Sequence, residues 1–183
     1  MIEDLAAVRR MTKMAKHPQP RVWMLNYPLF FRAALYPWSY PTNISHFGIL
    51  CGVGWYPTIE ALARDVESEL RALWREQFHR PDQIAALEYA LATGRATFPV
   101  LPYCTDISQV DGELKVEFQY GSMCPADVAE RIRTYVDNAV ASSRYICESC
   151  GRSGKFRESY WRRVYCDDCL VPEAPLEQAL EPA

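Results

Sequence analysis

A strict alternation of apolar and polar positions runs from Glu113 to Tyr120. Its apolar members are Leu114, Val116, Phe118 and Tyr120. A period of two residues is typical of a strand with one buried and one solvated face. The preceding segment, Gln109 to Gly112, is expected to turn, and its Asp-Gly pair favours a β-hairpin. The pattern therefore predicts a small antiparallel sheet, reached through a loop or edge segment at 98–104.

Four segments instead repeat apolar residues every three to four positions, as amphipathic helices do. The predicted helices cover 2–16, the region from Pro57 to a break at Arg80-Pro81, 82–92, and the region from Pro125 to about Ser143. The apolar stripe of the second helix consists of Ile59, Leu62, Ala63, Val66, Leu70, Leu73 and Trp74. Its opposite, charged face carries Glu60, Arg64, Asp65, Glu67, Glu69 and Arg71.

Between Arg21 and Tyr56 the chain changes character, because aromatic residues and prolines crowd together. Pro18 and Pro20 are expected to end the first helix, and the proline density excludes a long helix or a central strand. We predict one short helical turn near Leu29–Leu35 in an otherwise ordered but irregular segment. Two interpretations stay open: the aromatic side chains fill the core, or they anchor a partner at an interface.

Length and composition are those of a globular protein with either one good-sized core or one core and a small metal-bound appendage. The 183 residues carry a formal net charge of −3, which gives no global signal for nucleic acid or an anionic membrane. The N-terminus begins with acidic residues and lacks an apolar run, so no signal peptide is expected. No stretch approaches the ~20 apolar residues that span a bilayer. A reducing, cytoplasmic location is therefore predicted.

The clearest candidate chemistry lies in four C-terminal cysteines. Cys147 and Cys150 form one CxxC pair and Cys166 and Cys169 another, with 15 residues between the pairs. This spacing is typical of a zinc ribbon, in which four sulfurs bind one ion at about 2.3 Å. Four cysteine ligands leave no position for water, so one structural Zn²⁺ is predicted rather than a catalytic one. Two disulfides or four free thiols are the alternative, which a reducing compartment and an odd number of further cysteines disfavour.

Residues that could perform catalysis are few and scattered. The histidines His17, His46 and His79 stand in unrelated contexts, and the sequence contains none of the common nucleotide-binding or hydrolase motifs. His46 and Cys51 are a candidate thiol–imidazole pair, but isolated residues of these types are more often structural. The chain is therefore predicted not to be an enzyme, with no catalytic residues and no small-molecule substrate.

The loop between the two cysteine pairs holds the candidate contact residues. They are Arg152, Lys155, Arg157, Trp161, Arg162 and Arg163. Cations interleaved with aromatic side chains can neutralise phosphates and stack on bases, as nucleic-acid binding requires. Against this, a zinc-bound thiolate cage carries a charge of about −2. Further acids offset the basic residues, namely Glu148, Glu158, Asp167 and Asp168. A near-neutral ribbon therefore favours a protein partner, and nucleic acid is the alternative.

The chain from Phe47 to Cys169 resembles a poorly characterised family of small phage and bacterial proteins. Its members show a Gly-Trp-aromatic segment that opens a helix, a Gln-Val-containing β-hairpin, another helix and a terminal cysteine-rich ribbon. The matching pieces are Cys51 to Ile59, Ile107 to Val110, Leu114 to Tyr120, and Cys147 to Gly151. The hairpin departs from the family's basic, glycine-rich run and keeps only its outline. The resemblance implies this architecture and a phage setting, in which the protein would bind and alter a host complex; it assigns no reaction.

Together these patterns predict an α+β fold, with helices packed on a small antiparallel sheet and a C-terminal four-cysteine zinc ribbon. The predicted organisation is a core over 1–143, the ribbon over 144–170, and an acidic, flexible tail over 171–183. Only two or three residues join the last core helix to the first cysteine pair, so the ribbon is expected to dock on the core. The predicted function is a non-enzymatic zinc-binding interaction protein whose partner is a host or phage protein.

Overall fold

The computed structural model describes residues 18–77, 101–121, 124–159 and 161–170. Within these ranges the α-helices are α1 (Pro18–Asn26), α2 (Arg32–Leu35), α3 (Asn43–Phe47), α4 (Tyr56–Gln77) and α5 (Ala126–Ser143). Two 3₁₀ turns cover Val53–Trp55 and Asp167–Cys169. The strands are β1 (Tyr103–Val110), β2 (Glu113–Gln119), β3 (Lys155–Arg157) and β4 (Arg163–Tyr165). The predicted α+β class is confirmed. The helices predicted over 2–16 and 82–92 and the tail over 171–183 lie outside the described residues.

Strands β1 and β2 form the predicted antiparallel hairpin. Val110 pairs with Glu113, which leaves Asp111 and Gly112 as a two-residue turn. Both turn residues have positive φ, the conformation that Asp-Gly favours because it matches the twist of the flanking strands. Gln109 and Val110 belong to β1, so the turn is tighter than the sequence suggested. The inner face of the hairpin buries Ile107, Leu114 and Val116.

Helices α4 and α5 pack against each other, and α5 also packs against β2. On α4 the predicted stripe from Ile59 to Leu73 is buried, while the side chain of Trp74 lies outside the described residues. At the end of α5 the Ser143 hydroxyl accepts a hydrogen bond of 2.9 Å from the backbone N–H of Leu114. These contacts fix the C-terminal end of α5, where the cysteine ribbon begins, against the sheet.

The segment from Arg21 to Tyr56 is more helical than its prolines suggested. Pro18 is the first residue of α1, since a proline in the first helical turn sacrifices no intrahelical hydrogen bond. The prediction that these prolines end a preceding helix depends on residues outside the described ranges. The short helical turn predicted near Leu29–Leu35 is confirmed as α2, and α3 follows where irregular chain was expected. The Thr42 N–H donates a hydrogen bond of 2.8 Å to the Ser45 hydroxyl, which stabilises the start of α3.

The aromatic residues of this segment divide between core and surface. Trp23, Phe30, Phe31 and Trp55 are fully buried, and the ring centroids of Phe30 and Phe31 lie 4.7 Å apart, edge to face. In contrast, Tyr36, Trp38 and Phe47 are exposed. The core interpretation therefore holds for the first group, and a contact role for the second group stays a prediction.

Glu67 lies in the core although the sequence placed it on the charged face of α4. Its Oε2 accepts hydrogen bonds of 2.9 Å from the backbone N–H groups of Leu29 and Phe30. Its Oε1 accepts one of 2.9 Å from Arg71 Nε. The carboxylate thus joins α4 to the turn before α2 and satisfies two buried backbone donors.

Replacing Glu67 with Ala is expected to destabilise the protein by about 3 kcal/mol, because it leaves these two N–H groups without an acceptor. Urea unfolding followed by circular dichroism measures the change. Glu60→Ala, on the same helix, serves as the matched control and is expected to cost under about 0.5 kcal/mol. A loss of less than about 1 kcal/mol for Glu67→Ala would show that the carboxylate does not hold the turn.

Candidate metal centre

Two tight turns present the cysteines from opposite sides of the short β3–β4 hairpin. In the first, the backbone N–H of Gly151 donates a hydrogen bond of 2.9 Å to the Cys147 carbonyl, and Gly151 has φ +79°. The second is a single 3₁₀ turn over Asp167–Cys169, in which the Cys169 N–H donates to the Cys166 carbonyl at 3.2 Å. Antiparallel pairing of β3 with β4 brings the two turns together.

The sulfurs of Cys147, Cys150, Cys166 and Cys169 all lie within 4.8 Å of one another. The Sγ atoms of Cys150 and Cys166 are 3.6 Å apart. Four sulfurs placed tetrahedrally at about 2.3 Å from one ion would be about 3.8 Å apart. All seven cysteines of the chain lie in described segments and are free. The arrangement therefore has the size of a tetrahedral metal site and is not bridged by disulfides.

Two thiols of the cluster, Cys150 and Cys169, have pKa values shifted in opposite directions. The Arg152 guanidinium lies 3.4 Å from Cys150 Sγ and lowers the pKa of this thiol to about 6. Hydrogen bonds from the Cys169 thiol to Cys150 and Cys166 favour its protonated form and raise the pKa of Cys169 to about 12. A divalent cation among the sulfurs would favour the thiolate form of all four. The cluster thus offers four sulfur ligands to a metal ion.

Glu148, beside the first ligand, connects the cysteine turn to the start of α4. Its carbonyl accepts a hydrogen bond of 2.7 Å from the Gly54 N–H, and its Oε1 accepts one of 2.9 Å from the Gly52 N–H and another from Arg163. The side chain is only 1% exposed, and burial raises its pKa although Gly52 and Arg163 favour the charged form. Nearby, the indole N–H of Trp55 donates to the Ile146 carbonyl at 2.8 Å.

Sequence reasoning missed this role of Glu148, which it counted among the acids offsetting the ribbon's charge. The contact between the cysteine turn and the segment before α4 does have a sequence signal, namely Gly52-Val53-Gly54. Closely spaced glycines often mark a close approach of two backbones. A Cβ atom added at Gly54 would overlap the carbonyl oxygen of Cys147 and lie 2.5 Å from the Gly151 nitrogen. The two glycines therefore let the chain before α4 pack directly on the cysteine turn.

Each of the five cations predicted for partner contact lies beside a carboxylate. The pairs are Arg152 with Asp168 (2.8 Å), Lys155 with Asp167 (3.8 Å), Arg157 with Asp167, Arg162 with Asp111 (2.8 Å), and Arg163 with Glu148. The sixth predicted residue, Trp161, is 83% exposed. Asp111 belongs to the β1–β2 turn, so the ribbon loop also contacts the hairpin of the core.

Comparisons of the chain with protein-family models, curated proteins and solved structures find no match. The resemblance to small phage and bacterial proteins therefore stays a prediction. Among the described residues, no helix is long and apolar enough to cross a bilayer.

Cys51 and Cys104 lie apart from the metal cluster and have the character of protonated thiols. Burial, and secondarily the Glu148 carboxylate, raise the pKa of Cys51 to about 12. Complete burial also raises the pKa of Cys104. His46, the proposed partner of Cys51, is exposed at the end of α3, with its ring centroid 6.3 Å from that of Phe47. A nucleophilic cysteine needs a lowered pKa, which neither of these two thiols has.

Proposed function

We propose that this chain is a non-enzymatic zinc-binding protein that acts by contacting another protein. The observation that carries the proposal is the cluster of four cysteine sulfurs within 4.8 Å of one another. Four thiolates occupy every position of a tetrahedral zinc ion, so the ion would be structural and would bind no reacting water. Thiolate ligands in this geometry select zinc or an iron–sulfur centre over magnesium or calcium, and the CxxC spacing favours zinc.

The pairing of charges around the ribbon supports a protein partner over nucleic acid. Binding to a nucleic-acid backbone draws its affinity from cations that are available to neutralise phosphates. In this ribbon Arg152, Lys155 and Arg157 already face Asp167 and Asp168. Exposed aromatic residues, in contrast, are the side chains that contribute most to protein interfaces. The partner would be a host protein if the phage setting implied by the resemblance is correct.

The high pKa values of Cys51 and Cys104 support a non-catalytic role. A cysteine nucleophile reacts as its thiolate, and burial suppresses that form in both residues. The cysteine with a lowered pKa, Cys150, belongs to the metal cluster and would be occupied as a ligand.

Protein purified without chelators is expected to contain about one zinc ion per chain by elemental analysis, because the four thiolates form one closed site. Cys150→Ser should lose most of the zinc and much of its solubility, since a serine hydroxyl is a poor zinc ligand. Cys124→Ser, outside the cluster, is the matched control and should keep the metal. Iron in place of zinc, or full zinc content in Cys150→Ser, would contradict the proposed site.

The interaction half of the proposal has a separate test. Affinity purification of the zinc-loaded chain from cells that naturally contain it is expected to recover one protein in stoichiometric amount. Recovery of nucleic acid with a steep loss of binding as salt rises would favour the alternative function. Recovery of no partner of either kind would contradict an interaction role.

A further inference from the structure

Trp161 adopts a backbone conformation that bulky residues rarely take. Its φ is +52° and that of the next residue, Arg162, is +53°. For side chains other than glycine, asparagine and aspartate this left-handed region is unfavourable, because Cβ approaches the following carbonyl oxygen. Two such residues in succession make the loop between β3 and β4 a strained segment. Strain of this kind persists only where surrounding contacts impose it.

The contacts that impose the conformation come from the β1–β2 hairpin. The carbonyl of Arg162 accepts a hydrogen bond of 3.1 Å from Gln109 Nε2. The side-chain Nε of Arg162 donates a second one, of 2.8 Å, to Asp111 Oδ1. The Arg162 guanidinium also lies over the Phe156 ring, 5.8 Å from its centroid. Phe156 in turn packs against Gly112 so closely that a Cβ there would lie 2.5 Å from the ring. The β1–β2 turn and the loop between β3 and β4 thus stabilise each other through these contacts.

The side chain of Trp161 contributes little to folding stability in this conformation. It is 83% exposed, so burial contributes little free energy in return for the strained backbone. Asparagine or glycine would take the same backbone conformation at lower cost. The tryptophan is therefore presented to solvent by a turn that suits it poorly.

We propose that Trp161 is the anchor through which this protein docks into an apolar pocket of a partner protein. The inference rests on the proposed interaction function and identifies its contact. Tryptophan is among the residues most enriched at the centres of protein interfaces. Val110 and Phe156, half-exposed beside the paired Asp111 and Arg162, extend the apolar contact.

The charges around Trp161 select the class of partner. Arg162 is paired with Asp111, and Lys155 and Arg157 share Asp167. Glu158 of the same loop brings the formal charge of these six residues to zero. A nucleic acid stacking on Trp161 would need cations free to follow its backbone. The pairing leaves a neutral surround, which suits the rim of an apolar protein pocket.

The first test uses the chain alone. Trp161→Asn is expected to raise the melting temperature by about 2–4 °C at unchanged zinc content, because asparagine tolerates positive φ. Trp38→Asn removes another exposed tryptophan, at a position with negative φ, and is not expected to raise it. A lower melting temperature for Trp161→Asn would show that Trp161 is a structural residue and would overturn the proposal.

The second test compares affinity capture by the wild-type chain, Trp161→Asn and Trp38→Asn, all zinc-loaded, from cells that naturally contain the protein. One stoichiometric protein is expected with the wild type and Trp38→Asn, and its recovery should fall about tenfold or more with Trp161→Asn. Equal recovery with all three, or equal loss with both variants, would overturn the role of Trp161 while leaving the interaction function intact. No captured protein with any of the three would contradict both.

A binding assay with single-stranded oligothymidine at low salt completes the comparison. No binding is expected for either the wild type or Trp161→Asn. Binding by the wild type that is lost in Trp161→Asn would show that the anchor stacks on bases and would overturn the assignment of a protein partner.

Discussion

Removal of the metal by a chelator is expected to unfold the ribbon and to loosen the start of α4. Among the described ribbon residues from Cys147 onward, only two apolar side chains, Cys147 and Val164, are buried, and each strand has three residues. So small a unit cannot offset its own conformational entropy by apolar burial. A structural zinc ion contributes about 10–16 kcal/mol to folding in zinc-finger peptides, far more than these contacts.

The loss of structure should extend into the core through the hydrogen bonds that join residues 146–148 to residues 52–55. Backbone N–H groups of Gly52 and Gly54 donate to Glu148, and the Trp55 indole donates to the Ile146 carbonyl. These acceptors lie within one residue of the ligand Cys147. When the cysteine turn opens, the donors lose their partners, and the first turn of α4 is exposed to solvent.

Hydrogen exchange by NMR measures how far the segment before α4 opens when the metal is removed. The amides of Gly52 and Gly54 are expected to exchange at least about tenfold faster after chelation and to recover when zinc is restored. The amide of Phe31, hydrogen-bonded to the Tyr27 carbonyl at 3.1 Å within the core, is the internal control. Faster exchange confined to the ribbon, with Gly52 and Gly54 unchanged, would show that the ribbon folds independently of the core.

The second large effect is expected from Gly54→Ala, which should cost about 3 kcal/mol or more of folding stability and weaken zinc binding about tenfold. The added methyl would overlap the Cys147 carbonyl and press on the Gly151 nitrogen. Both are backbone atoms of the turn that presents two sulfurs, so neither can move without displacing a ligand. Gly54 does not have positive φ, and the cost is therefore steric.

Thermal unfolding and competition with a chromophoric zinc chelator measure the two consequences of Gly54→Ala. Val53→Ala changes the neighbouring, partly exposed residue and is expected to affect stability by less than about 1 kcal/mol, with unchanged zinc affinity. Wild-type stability and zinc affinity in Gly54→Ala would mean that the segment before α4 does not pack on the cysteine turn.

Much of the fold was predictable because it depends on neighbours in sequence. The alternation from Leu114 to Phe118 and the adjacent Asp-Gly pair specify a hairpin with one buried face, since side chains of a strand point alternately to its two sides. Helical spacing after Pro57 and after Pro125 likewise located α4 and α5. The CxxC spacing predicted the cysteine cluster because a tight turn within each pair is a local event. Helix α1 was missed because the prolines were taken only as the end of a preceding helix, although proline also fits the first turn of a new one.

The sequence by itself thus determined the hairpin, the two long helices and the four-cysteine cluster. Only the tertiary structure decided what the charged and exposed residues do. Glu67 and Phe30 are 37 positions apart, and Glu148 and Gly52 are 96 apart. An acidic residue looks the same in sequence whether it is solvated or accepts buried N–H donors, because its partners are chosen by chain packing. The same reason governs the strained loop at Trp161, whose conformation is imposed by a hairpin far earlier in the chain, with Arg162 bound to Asp111 across 51 positions.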